Sequence, residues 1–561
     1  MIPVPAAAEK NIKNVAEEIE FTIMKITTQF AEKKVVESTA VQGMRPVETG
    51  NAKRGTVKFS SSIADVHSYW HSFMPSVGER IPWTMESTFA AQRGMPFITF
   101  FNTAGVNKLA VGLVNCDCDS KISCRMNQET GCYDLTWEIT APEKIENFEF
   151  WYDTANRPWQ QEIPLWRENL QGISCEYPSS VWDPVFCTWY AVHGALTQEW
   201  STKTAKKAAE LGFKTFILDD GWCYPDMKRV CPANIPAWYE KIGDWKVDTG
   251  KFPDFKKHVE EVQSFGLKYL LWVAPYLIGD HSAMYERLKS IPGSVFGEYL
   301  EGYYKLAPEK KEAADIILDL MENLMREYKL DGLKVDFLDQ IHPNLEDPRA
   351  EACYNFTKEL SKRIRQCKAD ALIEFRQSYA VPRMLACGTQ FRAGDAPFDF
   401  LLNLRRIAQI RLALGDGIPV HADPAYWPAD ELPVNISRHF IAMMAGVPML
   451  SVELADLTPE AEAICRFWIS FYSRNANWLQ DAHWEFDYTG GQLGCATGET
   501  PRHTIAIVAD PMRVPELKTS GYILNLSYAP LTVPGAQVFD WKGEPVSGDV
   551  IPEGYGAFIK R

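Results

Sequence analysis

No apolar run in this 561-residue chain approaches the roughly 18 residues that a helix needs to cross a bilayer, so no membrane span is expected. Positive charge is also short: 58 Lys and Arg stand against 73 Asp and Glu, for a net charge of −15. Nucleic acids and anionic membranes are held by clusters of Lys and Arg, so neither is expected as a partner. A local pocket for an anionic substrate stays open. The first residues, MIPVPAAAEKNIKNV, lack a basic stretch followed by an apolar one, so no secretory leader is expected there.

Several kinds of machinery are missing. There is no G-x-x-x-x-G-K-[ST], no G-x-G-x-x-G after a strand pattern and no G-x-S-x-G, and the ten histidines contain no H-E-x-x-H. These absences argue against P-loop, dinucleotide, serine-hydrolase and zinc-peptidase chemistry, and no cofactor is expected. The 13 cysteines follow no repeating interval. Cys116, Cys118, Cys124 and Cys132 do not match a zinc knuckle. They read as reduced and buried, which fits a cytoplasmic protein. Cys223 and Cys231 could bridge a loop in an oxidising compartment.

What remains is ordinary for a globular protein, with 46% apolar and 23% charged residues. Aromatics are plentiful: 18 Trp, 22 Tyr and 29 Phe. Their faces suit the apolar faces of pyranose rings, although most such rings serve core packing.

The chain divides by pattern into three expected domains: 1–180, 181–477 and 478–561. The first reads as a β-sandwich, with short alternating runs such as Gly55–Ser60, Phe97–Phe101 and Tyr133–Thr140 between turn residues. The last has similar runs, Thr504–Ala509 and Tyr522–Leu526 among them, and reads as a small antiparallel β domain. The middle alternates short apolar runs with amphipathic ones, which implies βα units. Eight candidate strands begin at Phe186, Thr215, Tyr269, Leu333, Leu372, Gln390, Ile418 and Met449. Helical stretches fall between most of them, and the gap between the fifth and sixth is too short for a secure helix. Eight units over about 290 residues predict a (β/α)8 TIM barrel.

The strand ends are rich in polar groups: Asp219, Asp220, Trp272, Lys334, Asp336, Glu374, Arg376, Asp395, His421, Asp423 and Glu453. The catalytic face of a barrel lies at the C-terminal ends of its strands. In DGLKVD (331–336), Lys334 and Asp336 are two residues apart and share a strand face. A neighbouring ammonium keeps a carboxylate ionised, as a glycosidic nucleophile must be. Asp395 ends FRAGD on the sixth strand; the competing reading is a helix N-cap or turn. The Asp219–Asp220 pair in LDDGW can accept charge-assisted hydrogen bonds from sugar hydroxyls. For a metal, His421 and Asp423 are the nearest helpers, but no complete ligand set is present, so no metal is expected.

Several motifs in the same order resemble the α-galactosidases of glycoside hydrolase family 36, in the melibiase-like clan. They are PVFCTWYA (184–191), ILDDGW (217–222), GDW (243–245), KFP (251–253), GLKYLLWVAP (266–275) and DGLKVD (331–336). The resemblance covers residues 180–475 and implies a retaining glycosidase acting on a terminal α-galactosyl or related bond of a small oligosaccharide. It implies Asp336 as nucleophile and Asp395 as acid/base. It further implies that Asp219 and Asp220 hold the O4/O6 side of the sugar, that Trp245 packs against it, and that Lys334 contacts ring hydroxyls and tunes Asp336. Trp189, Trp222 and Trp272 complete the expected aromatic set. Homo-oligomers are in keeping with the resemblance. A transglycosidase and a catalytically silent sugar-binding barrel are the competing readings, and the presence of both carboxylates argues against the silent one.

The fifth strand departs from the family. EFRQ (374–377) replaces its Cys-Ser-x-Gly-Gly segment, and Leu338 stands where an asparagine is usual. Glu374, Arg376 and Arg392 are therefore expected to form an altered wall on the O2 side, reading an N-acetyl, anionic or otherwise modified group.

Overall fold

A computed structural model describes residues 25–30, 35–39, 43–72, 78–79, 84–170, 176–224, 239–300, 302–489 and 491–561. Its contacts group the chain into two compact units rather than three. One comprises residues 1–171 with 342–351, and the other 172–341 with 352–561.

The first unit is built on a ten-stranded sheet. Two long strands, Gly43–Ser62 and Cys132–Asp153, run antiparallel through it. The early half of Cys132–Asp153 pairs with Asp119–Asn127 and its late half with Asn107–Leu113, so one sheet supplies both layers of a sandwich. Alternation puts Phe59, Leu135, Trp137, Phe148 and Phe150 into a shared core. Phe150 meets Phe59 and Trp137 edge to face at 5.6 and 5.5 Å. In the same unit Asp119 accepts the backbone N–H groups of Asn344 and Ala350 at 3.0 and 2.8 Å, and burial pushes its carboxyl up to about 6.

The second unit contains the barrel. Its parallel strands are β1 Val185–Cys187, β2 Thr215–Leu218, β3 Lys268–Val273, β4 Gly332–Val335, β5 Leu372–Arg376, β6 Gln390–Arg392, β7 Val420–His421 and β8 Met449–Leu450. They pair in chain order, and β8 also pairs β1. The bridges His421–Val447 and Ala425–Leu450 join the two remaining edges. All eight expected strands are present, most of them shorter than expected because the residues after each strand turn into the rim.

Several helices begin where a side chain accepts an unpaired amide of the first turn. In α1 (Gln198–Leu211) the cap is Thr197, accepting from Trp200; in α2 (Phe255–Ser264) it is Asp254, accepting from Lys257. Two further helices, α3 (Lys311–Tyr328) and α4 (Ala350–Cys367), precede and follow β4 in the chain. In α5 (Phe400–Leu414) the cap is Asp399, accepting from Leu402 at 2.9 Å. The cap after β6 is therefore Asp399 and not Asp395. Between β5 and β6, two single turns of 3-10 helix, Gln377–Tyr379 and Pro382–Met384, take the place of a helix.

The C-terminal sheet has six strands and is antiparallel except where Thr504–Val508 runs parallel to Gly521–Asn525. It shares one compact unit with the barrel. The boundary expected at 478 falls inside the last turn of a helix, α6 (Pro459–Leu479). That helix joins the two parts: Phe471 meets Tyr522 of the sheet at 4.8 Å. No disulfide forms among the described cysteines. Cys231 lies outside the described residues, and with it the expected Cys223 pairing. No helix of the described residues is long and apolar enough to cross a membrane.

Candidate active site

The strand ends converge on a cavity of about 210 Å³. Its wall is made by Cys187 of β1 with Trp189 and Tyr190 after it, Asp219 and Asp220 after β2, Trp272 of β3, and Lys334, Asp336 and Phe337 of β4 and its end. Arg376, Arg392, Asp395, Pro424 and Tyr239 complete it.

Asp336 is buried and heavily engaged. Its carboxylate accepts the Trp272 indole N–H at 3.0 Å and the Phe337 amide at 2.8 Å, and the Arg376 guanidinium lies 3.2 Å away. Phe337 has a φ of 57°, a left-handed conformation that is costly for a phenylalanine. Its amide thereby turns back onto Asp336. Burial alone would raise this carboxyl, but Arg376, then Lys334 and Arg392, hold it well below the usual carboxylate range. Asp336 is thus a carboxylate that stays ionised in a dry place.

Asp395 is different. Its side chain is 57% exposed, and Arg392 lies 3.2 Å away. Burial within the cavity pushes its carboxyl up, but Arg392 and Arg376 outweigh this and hold it below the ordinary value. Arg392 is almost fully buried and also binds Asp423. Asp423 accepts the Ala396 amide at 2.6 Å and the Tyr190 hydroxyl at 3.2 Å. Burial pushes the Asp423 carboxyl up to about 7, against the pull of Arg392.

Lys334 does not pair directly with Asp336. It donates to Asp219 at 2.6 Å, and Cys187 donates to the same oxygen at 3.0 Å. The other Asp219 oxygen accepts the Asp220 amide at 2.9 Å. Asp219 therefore fixes the lysine and the loop, with Asp220 beside it on the cavity wall. The expected lysine contact to Asp336 is taken by Arg376, because Lys334 is one layer deeper in the barrel, opposite Trp272 and Glu374.

Just after β2 the chain is closely packed at Gly221. Gly221 has a φ of +105°, and a Cβ there would come within 2.5 Å of Gly194 Cα. Lys251 donates to both glycine carbonyls at 2.8 Å. The lysine of the KFP motif is thus a staple between two loops.

Of the ten expected substrate-binding residues, Trp189, Asp219, Asp220, Trp272, Lys334, Arg376 and Arg392 border the cavity. Trp222, Trp245 and Glu374 do not. The Trp222 indole donates to the Trp272 carbonyl at 3.0 Å, and Trp245 sits 5.8 Å from the Trp272 ring, so both lie behind it. Glu374 accepts from Gln390 at 3.0 Å in the deeper layer. Cys187, Tyr190, Tyr239, Phe337 and Pro424 were not expected. Tyr190 and Phe337 each follow an expected residue, a signal that proximity in the chain could have supplied. Tyr239 carries no such signal. His421 gives its Nε2 to the Val181 carbonyl at 2.7 Å, and burial lowers its pKa to about 4, so it is neutral. No cluster of three metal-ligating side chains occurs among the described residues.

The melibiase family model matches residues 172–362. The α-galactosidase Mel36A of Lactobacillus acidophilus is 30% identical over 213 residues, which is 36% of this chain and 28% of that protein. α-Galactosidase 1 of Pediococcus pentosaceus is 29% identical over 213 residues, or 36% and 27%. The matched part thus spans under a third of these curated relatives. Among solved structures, the family 36 α-galactosidase AgaA of Geobacillus stearothermophilus, in complex with 1-deoxygalactonojirimycin, shares the fold with a TM-score of 0.62 at 15% identity. That match covers 94% of this chain and 83% of AgaA. AgaB of the same organism gives 0.60 at 15% identity, covering 94% and 82%. Residues 172–362 thus match the melibiase family, and the chain shares its fold with α-galactosidases of glycoside hydrolase family 36.

Proposed function

We propose that this protein hydrolyses a terminal α-galactosyl or closely related α-glycosidic bond by a retaining double displacement, with Asp336 as nucleophile and Asp395 as acid/base. The supporting observation is the contrast between two carboxylates on one cavity. Asp336 is buried and stays ionised between an indole N–H and a guanidinium. Asp395 stands more than half exposed on the same cavity. A retaining glycosidase needs one permanent carboxylate to attack the anomeric carbon and one accessible carboxyl to exchange a proton with the leaving oxygen and later with water. AgaA has been solved with raffinose and with stachyose, and small oligosaccharides of this kind are the proposed substrates here.

Asp395 is held low by Arg392 and Arg376 before substrate binds. A substrate that covers the cavity strengthens the burial that opposes them, so its carboxyl rises toward the range where it can donate.

The proposed O2 wall narrows the sugar. Arg376 is paired with Asp336 and Asp339, and Arg392 with Asp423 and Asp395. An anionic substituent would find no unspent cation there, so a hydroxyl or a neutral acylamino group fits better than a carboxylate.

The test is the anomer released first. Proton NMR during hydrolysis of nitrophenyl α-galactoside is expected to show the α-anomer before mutarotation. Azide added to Asp395→Ala is expected to give the α-galactosyl azide, and added to Asp336→Gly the β-azide. A first product of β configuration would overturn the double displacement, and exchange of the two azide outcomes would reverse the assignments.

A further inference from the structure

A small sheet of three strands, Leu277–Gly279, Val295–Leu300 and Tyr303–Leu306, is inserted between β3 and α3. None of its described residues lines the cavity. The sheet instead grips the chain from Tyr239 to Asp244. The Gly279 amide donates to the Ile242 carbonyl at 2.7 Å, and the His281 amide to the Glu240 carbonyl at 2.8 Å. Asp244 accepts the Ala283 and Met284 amides at 3.1 and 2.7 Å, where the short helix Ala283–Leu288 begins. The approach leaves no room for a side chain. A Cβ on Gly279 would stand 2.4 Å from the carbonyl oxygens of both Tyr239 and Glu240, and one on Gly302 would stand 2.9 Å from Glu240 Cβ.

The gripped segment delivers one side chain to the cavity, that of Tyr239. Its ring stands edge to face with Tyr303 at 5.7 Å and with Phe337 at 5.6 Å. The Tyr303 hydroxyl donates to Gln340 at 3.2 Å, and the Arg376 guanidinium lies over the Phe337 ring at 4.7 Å. The Tyr239 ring is thus wedged between two partners that are themselves held. Burial pushes its hydroxyl well above the ordinary tyrosine pKa, and the charges that add most to this are Asp220 and then Asp336. The hydroxyl is therefore a neutral group that feels both of these carboxylates.

We infer that Tyr239 reads the 3-hydroxyl of the sugar whose anomeric carbon Asp336 attacks, and that the inserted sheet is what places it. The inference rests on the hydrolase reading above. In that reading Asp336 marks C1 and Asp220 the O4 side of the ring. Two edges of a pyranose join those points, one through the ring oxygen and one through C2 and C3. Tyr239 is separated from Arg376, on the proposed O2 wall, by the single ring of Phe337. That puts it on the edge through C2 and C3, where O3 lies between O2 and O4. A phenol both donates and accepts, so it suits a hydroxyl that does the same. A site built to hydrogen-bond a substrate hydroxyl discriminates against the analogue that lacks it.

The experiment uses α-galactosyl fluoride and its 2-deoxy and 3-deoxy analogues. Fluoride leaves with little acid help, which keeps the proposed acid/base out of the comparison. Tyr239→Phe keeps the ring and removes only the hydroxyl. It is expected to lower kcat/KM about five- to twentyfold on α-galactosyl fluoride and on the 2-deoxy analogue, the scale of one hydrogen bond to a substrate hydroxyl. The 3-deoxy analogue should stay within about twofold. Gly279→Ala is expected to repeat this pattern, because it displaces Tyr239 without altering it. A Tyr239→Phe loss that persists on the 3-deoxy analogue, or that vanishes on the 2-deoxy analogue instead, would overturn the O3 contact while keeping the hydrolase. A Gly279→Ala protein with the wild-type preference among the three fluorides would overturn the part given to the sheet. A wild-type protein that turns over none of them would remove the hydrolase reading, and this one with it.

Discussion

The two halves of the barrel have different characters. In β1–β4, the half that the melibiase family model reaches, the charges are neutralised in place. Lys334 is locked to Asp219, and the loop after β2 is closed by two glycines and Lys251. In β5–β8 the guanidinium of Arg376 serves Asp336 and Asp339, and that of Arg392 serves Asp395, Asp423 and Glu374; in each set one carboxylate faces the cavity. The first half is a fixed cradle. The second is an electrostatic circuit in which changing one charge redistributes the others. Family likeness survives where geometry is stapled and fades where charge is shared.

The sharpest break in that contrast is Asp336→Asn, which belongs to both halves through Trp272 and Arg376. Turnover of every galactoside, the fluoride included, is expected to fall at least about a thousandfold, with the circular dichroism spectrum unchanged. Next comes Lys334→Met, a test of the cradle. It strands Asp219 as a buried charge, and urea unfolding without substrate should show a loss of about 3–5 kcal/mol. A negligible loss would mean that the first half is not held by this pair.

Arg376→Gln tests the circuit. Without the guanidinium, burial wins at Asp336 and its carboxyl rises. The proposed nucleophile attacks as the carboxylate, so the acid limb of the kcat profile should move up by about 1–3 pH units. A limb that stays in place would separate Arg376 from the nucleophile. The smallest expected effect is that of Asp423→Asn. Burial holds the Asp423 carboxyl at about 7, so it is largely neutral where Asp395, kept below its ordinary value, titrates. The substitution therefore removes little charge there, and on raffinose the basic limb of kcat/KM set by the proposed acid/base should move by less than about half a pH unit. On α-galactosyl fluoride, which needs little acid help, it should not move.

The same contrast explains what the sequence made legible. The eight strands could be read in order because each is a short apolar run that stops at a polar rim. Asp336 and Asp395 could be found because each follows such a run. Layer depth could not be read. Glu374 and Arg376 share a strand face, yet only the longer, later side chain reaches the cavity, and Glu374 turns to Gln390 beneath it. The family resemblance implies that Trp245 packs against the sugar, and Trp222 belongs to the same expected aromatic set. Here they buttress Trp272 from behind. Asp423 stood out as a rim residue, but its link to Asp395 runs through an arginine on another strand, which no local pattern encodes.

The staple formed by Lys251 across Gly194 and Gly221 has one more consequence. The turn bearing the paired aspartates is braced by protein contacts alone, so an incoming ring surrenders its own freedom without having to order that part of the wall. Adapting such a vessel to a bulkier guest cannot proceed by loosening that side. Novelty in what this barrel accepts has to be written into the opposite lip.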